Sequence, residues 1–248
     1  MPLILKNVMK KILFLSLFSV LSLGLFAQKK TAAEPRAEVT IQTTMGKVVV
    51  ALYNQTPLHR DNFLRQVGRG YYDGLLFHRI IEGFMIQCGD SISREVSAQE
   101  FKNSEGESKD PLIPAEFRFP ELFHRRGVLA AAREGDETNP SRASSPFEFY
   151  LAWGKYYQPK DMRAMQEKIL EREDSTTHVI FPQELIDAYE IDGGIPHLDG
   201  SYTVFGEVIK GLDVVGNIQA VKTDSLDRPI KDVRIKKAWV SKGLPPSS

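Results

Sequence analysis

Arg79 and Gln87 are the residues whose type and setting could do chemistry, because both are polar donors placed among continuous apolar neighbours. They lie in the run Phe77-His78-Arg79-Ile80-Ile81-Glu82-Gly83-Phe84-Met85-Ile86-Gln87-Cys88-Gly89-Asp90. If two short strands meet at Glu82-Gly83, alternation puts Phe77 with Arg79 on one face and Met85 with Gln87 on one face, and a tight turn brings the pairs together. The result is a guanidinium and an amide over an apolar floor. A half-buried guanidinium is costly unless paired, so Arg79 either meets a carboxylate, as a salt bridge holding the scaffold, or waits for a ligand oxygen. The same alternation turns His78 away from Arg79, which makes it a core histidine rather than a general base.

Other chemistries lack their landmarks. His59, His124, His178 and His197 are scattered without metal-ligand spacing, so no metal is expected. Residues 68–73 fail the GxGxxG pattern at the last position, and no GxSxG elbow exists. Cys88 is the only cysteine, which excludes an internal disulfide and a cysteine-based zinc site, and in mid-strand it reads as a small packed side chain.

The elements that must position these residues follow from the pattern on either side. Val39, Ile41 and Thr43 alternate with polar residues, Gly46 supplies a turn, and residues 48–53 continue as a β-rich run, giving a hairpin. Thr56 as N-cap, Pro57 at the first helical position, a Phe63/Leu64/Val67 face and Gly68 as terminator predict a helix. Residues 91–110 are charged and Ser-rich without a period, which reads as a surface loop. Strands return at 128–131, 147–151, 202–208 and 233–239, with a short helix at 211–215. Between them, Met162, Met165 and Ile169, then Leu185, Ile186 and Tyr189, recur at helical spacing and predict two inserted helices. Many short strands, few helices and no βαβ alternation point to a mainly β protein, an antiparallel barrel capped by helices.

Composition bounds the rest. With 42% hydrophobic and 26% charged residues the chain is globular, and 32 Lys+Arg against 32 Asp+Glu argue against a nucleic-acid partner. Lys6, Lys10 and Lys11 precede an apolar run from Ile12 to Phe26 and a small residue, Ala27, as in a secretory signal peptide. The run is shorter than the roughly 20 apolar residues of a spanning helix, so no stable membrane span is expected after cleavage. The expected organisation is a signal peptide at 1–27, a flexible leader at 28–38, one domain at 39–241 with a helical insertion at about 156–190, and a tail at 242–248. The mature protein is expected to be exported, in the periplasm if the source has two membranes, and monomeric.

The segment around Arg79 closely resembles the signature of the cyclophilin family of peptidyl-prolyl isomerases, in which Phe-His-Arg is followed by Phe-Met-Ile-Gln and Gly-Asp. The resemblance continues in order through Gly127-Val128-Leu129-Ala130-Ala131-Ala132-Arg133, Ser144-Ser145 with Glu148-Phe149-Tyr150-Leu151, and residues 197–208 from His197-Leu198-Asp199-Gly200 to Phe205-Gly206-Glu207-Val208. It implies an eight-stranded antiparallel cyclophilin-like barrel with the groove on its outer surface, no cofactor, and proline-containing polypeptides as clients. Carried over by position, Arg79 is the catalytic arginine and Gln87 its partner. Phe84, Met85, Tyr150 and Leu198 wall the proline pocket, while Phe77, Ala132, Arg133, Glu148, His197 and Tyr202 line the rest of the peptide groove.

The residue types suit the reaction that the resemblance implies. Rotation about an X-Pro bond faces a barrier of ~18–20 kcal/mol from amide resonance. An arginine donating to the proline carbonyl, its charge near the pyramidalising nitrogen, favours the twisted amide over the planar one without any proton transfer. A gain of ~10⁵ in rate requires about 7 kcal/mol. Five positions depart from the family's pattern, among them Cys88 in place of a glycine and Tyr202 in place of a common histidine. Glu148 replaces a common glutamine and Arg133 a common asparagine, so the two could pair, or Glu148 could reach Arg79 and compete with substrate. His197 stands at the tryptophan of members that bind cyclosporin well, which predicts weak cyclosporin affinity; a submicromolar dissociation constant by calorimetry would overturn this. The competing function is a catalytically weak proline-peptide-binding module or chaperone.

Overall fold

The computed structural model describes residues 35–102, 110–171 and 179–243. The expected signal peptide, most of the leader, His178 and all but the first two residues of the tail lie outside them. Eight strands form one antiparallel sheet: β1 (Glu38–Thr43), β2 (Gly46–Leu52), β3 (Arg79–Ile81), β4 (Met85–Cys88), β5 (Val128–Ala131), β6 (Phe149–Ala152), β7 (Val204–Lys210) and β8 (Ile235–Lys242). Their spatial order is β3-β4-β6-β5-β7-β2-β1-β8. The sheet curls into a half-barrel rather than closing strand on strand. Its edges meet through the segments that lead into β3 and β8, where the Phe77 N–H donates to the Val233 carbonyl at 2.9 Å and the Ile235 N–H to the Leu75 carbonyl at 2.9 Å.

Period-two alternation sorts the two faces. Ile86 and Cys88 on β4, Leu129 and Ala131 on β5, and Phe149 and Leu151 on β6 point into the interior core. Met85, Ala130, Tyr150 and Ala152 point to the opposite face and form a second apolar cluster with Phe84, Leu198 and Tyr202. Among the described residues the helices are α1 (Pro57–Gly68), α2 (Pro159–Leu170), α3 (Gln183–Ile191) and α4 (Leu212–Gln219). Phe63 and Val67 of α1, with Val215 and Ile218 of α4, seal the interior core. The inserted helices carry a core of their own, in which Met162, Leu185, Ile186 and Tyr189 pack with Phe119, Phe123 and Phe181. The Met162 stripe therefore serves packing.

Three expectations about local structure need correction. Thr56 stands before α1 but its hydroxyl makes no cap. The Glu116 carboxylate takes that place, accepting from the Leu58 and His59 N–H groups at 3.1 and 3.0 Å and facing the His59 ring at 2.7 Å. A charge near the helix start satisfies orphan donors better than a hydroxyl does. The leader ends earlier than expected: Ala37 is fully buried and its carbonyl accepts from Leu52, so 37–38 belong to the domain. The described part of the Ser-rich stretch is not all surface, since Ala98 and Phe101 pack on Leu76.

Candidate active site

A cleft of about 710 Å³ opens on the outer face of the sheet. Its floor follows from strand pairing: Arg79 on β3 lies opposite Gln87 on β4, and Gln87 lies opposite Tyr150 on β6. The Glu82-Gly83 turn, with Gly83 at φ +68°, folds β3 onto β4 and so creates the arginine–glutamine pair. Phe84, Met85, Tyr150 and Leu198 wall one part of the cleft, and Ala132, Arg133, Glu148 and Tyr202 line it as well.

Two of the expected residues lie elsewhere. Phe77 is 1% exposed and belongs to the interior core, so it does not line the groove. Alternation does not run from Phe77 to Arg79, because β3 begins only at Arg79 and the residues before it pair with 233–235; at that junction both Phe77 and His78 are buried. His197 is exposed and stacks on Phe84, with ring centroids 5.6 Å apart, and is not among the lining residues. It supports a wall of the pocket instead of forming one.

Arg79 is held at its root. Its Nε lies 3.4 Å from Asp227 Oδ2, and the Ile80 N–H, donating to the Asp227 main-chain carbonyl at 2.8 Å, holds the backbone of Asp227 beside β3. Glu148 pairs with neither arginine. Its Oε2 accepts from Gln87 Nε2 at 2.7 Å. Arg133 is engaged elsewhere, donating to the Ser201 and Glu134 carbonyls, pairing with Asp136 at 2.7 Å, and lying over the Tyr202 ring. Gly89 explains how Glu148 reaches this spot. At φ +128°, a Cβ on Gly89 would lie 2.4 Å from the Phe147 carbonyl oxygen and 2.5 Å from Glu148 Cα, so only glycine lets the end of β4 pass so close.

Burial drives the titrating groups. It pushes the Glu148 carboxyl up to about 7, helped by the charges of Asp90 and Glu134 and opposed by the Gln87 hydrogen bond. Burial, aided by Arg79 and opposed by Asp90, pushes His78 down to about 4, so its imidazole is neutral at physiological pH. The Cys88 thiol is pushed up by burial, which fits a packed rather than a reactive cysteine.

The structure also brings in residues that the sequence did not single out. Tyr150, at the pocket wall, lies 2.9 Å from His124 Nε2; His124 Nδ1 lies 2.9 Å from Asp199 Oδ1; and the Tyr189 hydroxyl of α3 donates to Asp199 Oδ2 at 2.6 Å. This buried relay ties the insertion to the pocket. Tyr150 and Tyr189 are expected elements of the pocket and the insertion, but their link through His124 and Asp199 joins residues far apart in sequence, and no spacing could have found it. Asp227 was equally silent, being an acidic residue in a polar stretch. Among the described residues no three His, Cys, Asp or Glu side chains are grouped to hold a metal ion.

The geometry suits a ligand with a small apolar ring in the pocket and a carbonyl oxygen within reach of Arg79. Comparison with known proteins agrees. Residues 38–240 match the family model for cyclophilin type peptidyl-prolyl cis-trans isomerases. A protein of Staphylococcus aureus (strain COL), provisionally named a peptidyl-prolyl cis-trans isomerase, is 29% identical over 208 residues, covering 84% of this chain and 93% of that one. A Staphylococcus epidermidis protein of the same name matches to the same extent. The crystal structure of a Cryptosporidium parvum cyclophilin shares the fold with a TM-score of 0.59 at 24% identity, covering 84% of this chain and 99% of that one. The half-barrel, the outer-face cleft and the match over nearly the whole described domain establish that this chain belongs to the cyclophilin-type peptidyl-prolyl cis-trans isomerase family.

Proposed function

We propose that this chain catalyses the cis–trans isomerisation of X-Pro bonds in exported polypeptides as they fold. The observation that carries the reading is the register pairing of Arg79 with Gln87 beside the Phe84/Met85/Leu198 pocket. The pocket holds the prolyl ring while the preceding residue turns. The Arg79 guanidinium donates to the prolyl carbonyl, and its charge draws the nitrogen lone pair out of resonance. These contacts strengthen as the amide twists, which is differential binding of the transition state. Gln87 sits across from the arginine and orients the substrate backbone. A related Cryptosporidium parvum cyclophilin was crystallised in the presence of the dipeptide Ala-Pro, which supports a prolyl ligand here. The Lys-led apolar segment at the N-terminus supports export, with the periplasm as the destination in a two-membrane cell. Uncatalysed X-Pro isomerisation takes tens of seconds or longer, slow enough to limit the folding of secreted clients.

NMR exchange spectroscopy on a short X-Pro peptide, with the mature protein and Arg79→Ala side by side, tests this. The expected result is fast exchange that falls about 10²- to 10³-fold in the variant while peptide binding persists. One observation favours the second reading, a proline-peptide-binding module: the Gln87 amide is already engaged by Glu148. Equal, slow exchange in both proteins, with binding retained, would select that reading.

A further inference from the structure

Glu148 gives the cleft an acidic subsite whose charge no basic residue offsets. Its carboxylate is half-buried and lines the cleft, and among the described residues its one hydrogen bond is from the neutral Gln87 amide, with no ion pair. Arg133, the nearest candidate by sequence, is turned to Ser201, Glu134 and Asp136, and Arg79 is turned to Asp227. Asp90 and Glu134 line the same part of the cleft and add negative charge there. A second observation is independent of the carboxylates. His78 lines the cleft, is only 3% exposed, and its Nδ1 is buried without a hydrogen-bond partner. A buried polar atom left unpaired costs stability unless a ligand completes it. Asp90 acts electrostatically on both His78 and Glu148, and all three residues line the cleft.

We propose that Glu148 makes the cleft select prolyl substrates carrying a lysine or arginine two or three residues from the proline. The inference rests on the isomerase reading above and deepens it. Met85 lies in the proline pocket and Gln87 two residues along β4, so Glu148, bonded to Gln87, stands roughly 7–10 Å from the ring at ~3.3 Å per extended residue. A long basic side chain on an extended peptide spans that distance. It would supply the missing counter-charge to Glu148. A glutamate in the same place meets like charge and is rejected, so discrimination has both an attractive and a repulsive component.

The groups that act on Glu148 are the Gln87 amide of β4 and the Asp90 and Glu134 carboxylates, while the Cys88 thiol lies on the opposite face of β4 in the interior core. His78 stays neutral near physiological pH. The Glu148 carboxyl ionises at about 7, so selection for a basic residue is weak at pH 6 and developed at pH 8.

The test uses short X-Pro peptides that differ only in carrying Lys, Ala or Glu two or three positions on either side of the proline. Exchange rates and binding by chemical-shift titration are both measured. At pH 8 the wild type is expected to favour Lys over Glu by at least about tenfold at one of these positions, the scale of a single charge-assisted contact. That ratio is expected to shrink at pH 6, to approach unity in Glu148→Gln, and to invert in Glu148→Lys. A wild-type ratio near unity at every position, or an unchanged ratio in Glu148→Gln, overturns the proposal. If no peptide is accelerated, the isomerase reading fails, and the binding ratios alone still decide whether Glu148 selects charge.

Discussion

Asp199 and Glu148 are acidic side chains held away from bulk water in two regions, and their surroundings differ in kind. Beneath the insertion, Asp199 accepts from the His124 N–H at 2.8 Å, faces His124 Nδ1 at 2.9 Å and takes the Tyr189 hydroxyl at 2.6 Å. Behind α1, Glu116 is served in the same manner by Leu58 and His59. In the cleft, Glu148 receives one amide and faces two like charges. Where a buried carboxyl group joins elements together, the fold surrounds it with donors. Where it lines the open cleft, the fold gives it one donor and leaves the rest of its bonding capacity unfilled.

The comparison breaks most visibly at Asp199. Asp199→Ala leaves the His124 ring and the Tyr189 hydroxyl buried without their acceptor, and urea unfolding is expected to show a loss of about 3 kcal/mol or more. Glu148→Gln should do the opposite, and only at higher pH. A carboxyl group raised from 4.5 to about 7 binds its proton more tightly folded than unfolded. Its penalty is absent below about 4.5, grows as pH rises, and is complete above about 7. The variant should therefore be more stable than wild type at pH 8, by up to roughly 3 kcal/mol, and equal to it at pH 4. Equal unfolding midpoints at pH 8 would show that Glu148 is not strained.

Smaller effects sharpen the contrast. Tyr150→Phe removes the hydroxyl that faces His124 and is expected to cost about 1 kcal/mol, with a modest fall in exchange rate because the pocket wall remains. Asp227→Asn removes the charge from an ion pair whose side chains are 44% and 40% exposed and keeps a residue type that tolerates the left-handed backbone at φ +61°, so its stability should change by no more than about 0.5 kcal/mol. Its exchange rate should nonetheless drop by about 2- to 5-fold, because the Arg79 guanidinium loses its charged anchor. An unchanged rate would mean that the Arg79 side chain is positioned without the Asp227 charge.

Local pattern carried far in this protein. The β1–β2 hairpin, the Pro57-initiated helix, the two inserted helices and the Glu82-Gly83 turn are each written in a few neighbouring residues, and each is present. Alternation along β4 correctly placed Met85 and Gln87 on the cleft face. It failed one strand earlier, because periodicity holds only inside a strand and the chain at Phe77 is still bonded across the sheet edges. The Thr56 cap failed for a related reason: a competing acceptor, Glu116, arrives from a distant part of the chain.

The sequence by itself determined the arginine–glutamine pair and the antiparallel β architecture, because short-range spacing and strand alternation are properties of neighbouring residues, while Tyr150 and Leu198 entered the pocket only through the family resemblance. Only the tertiary structure decided which charges are answered. Arg133 could have met Glu148 and instead meets Asp136; Arg79 meets Asp227; and Tyr189 reaches Tyr150 through Asp199 and His124. Electrostatic partnership falls off with distance in space, and loops far apart along the chain set that distance.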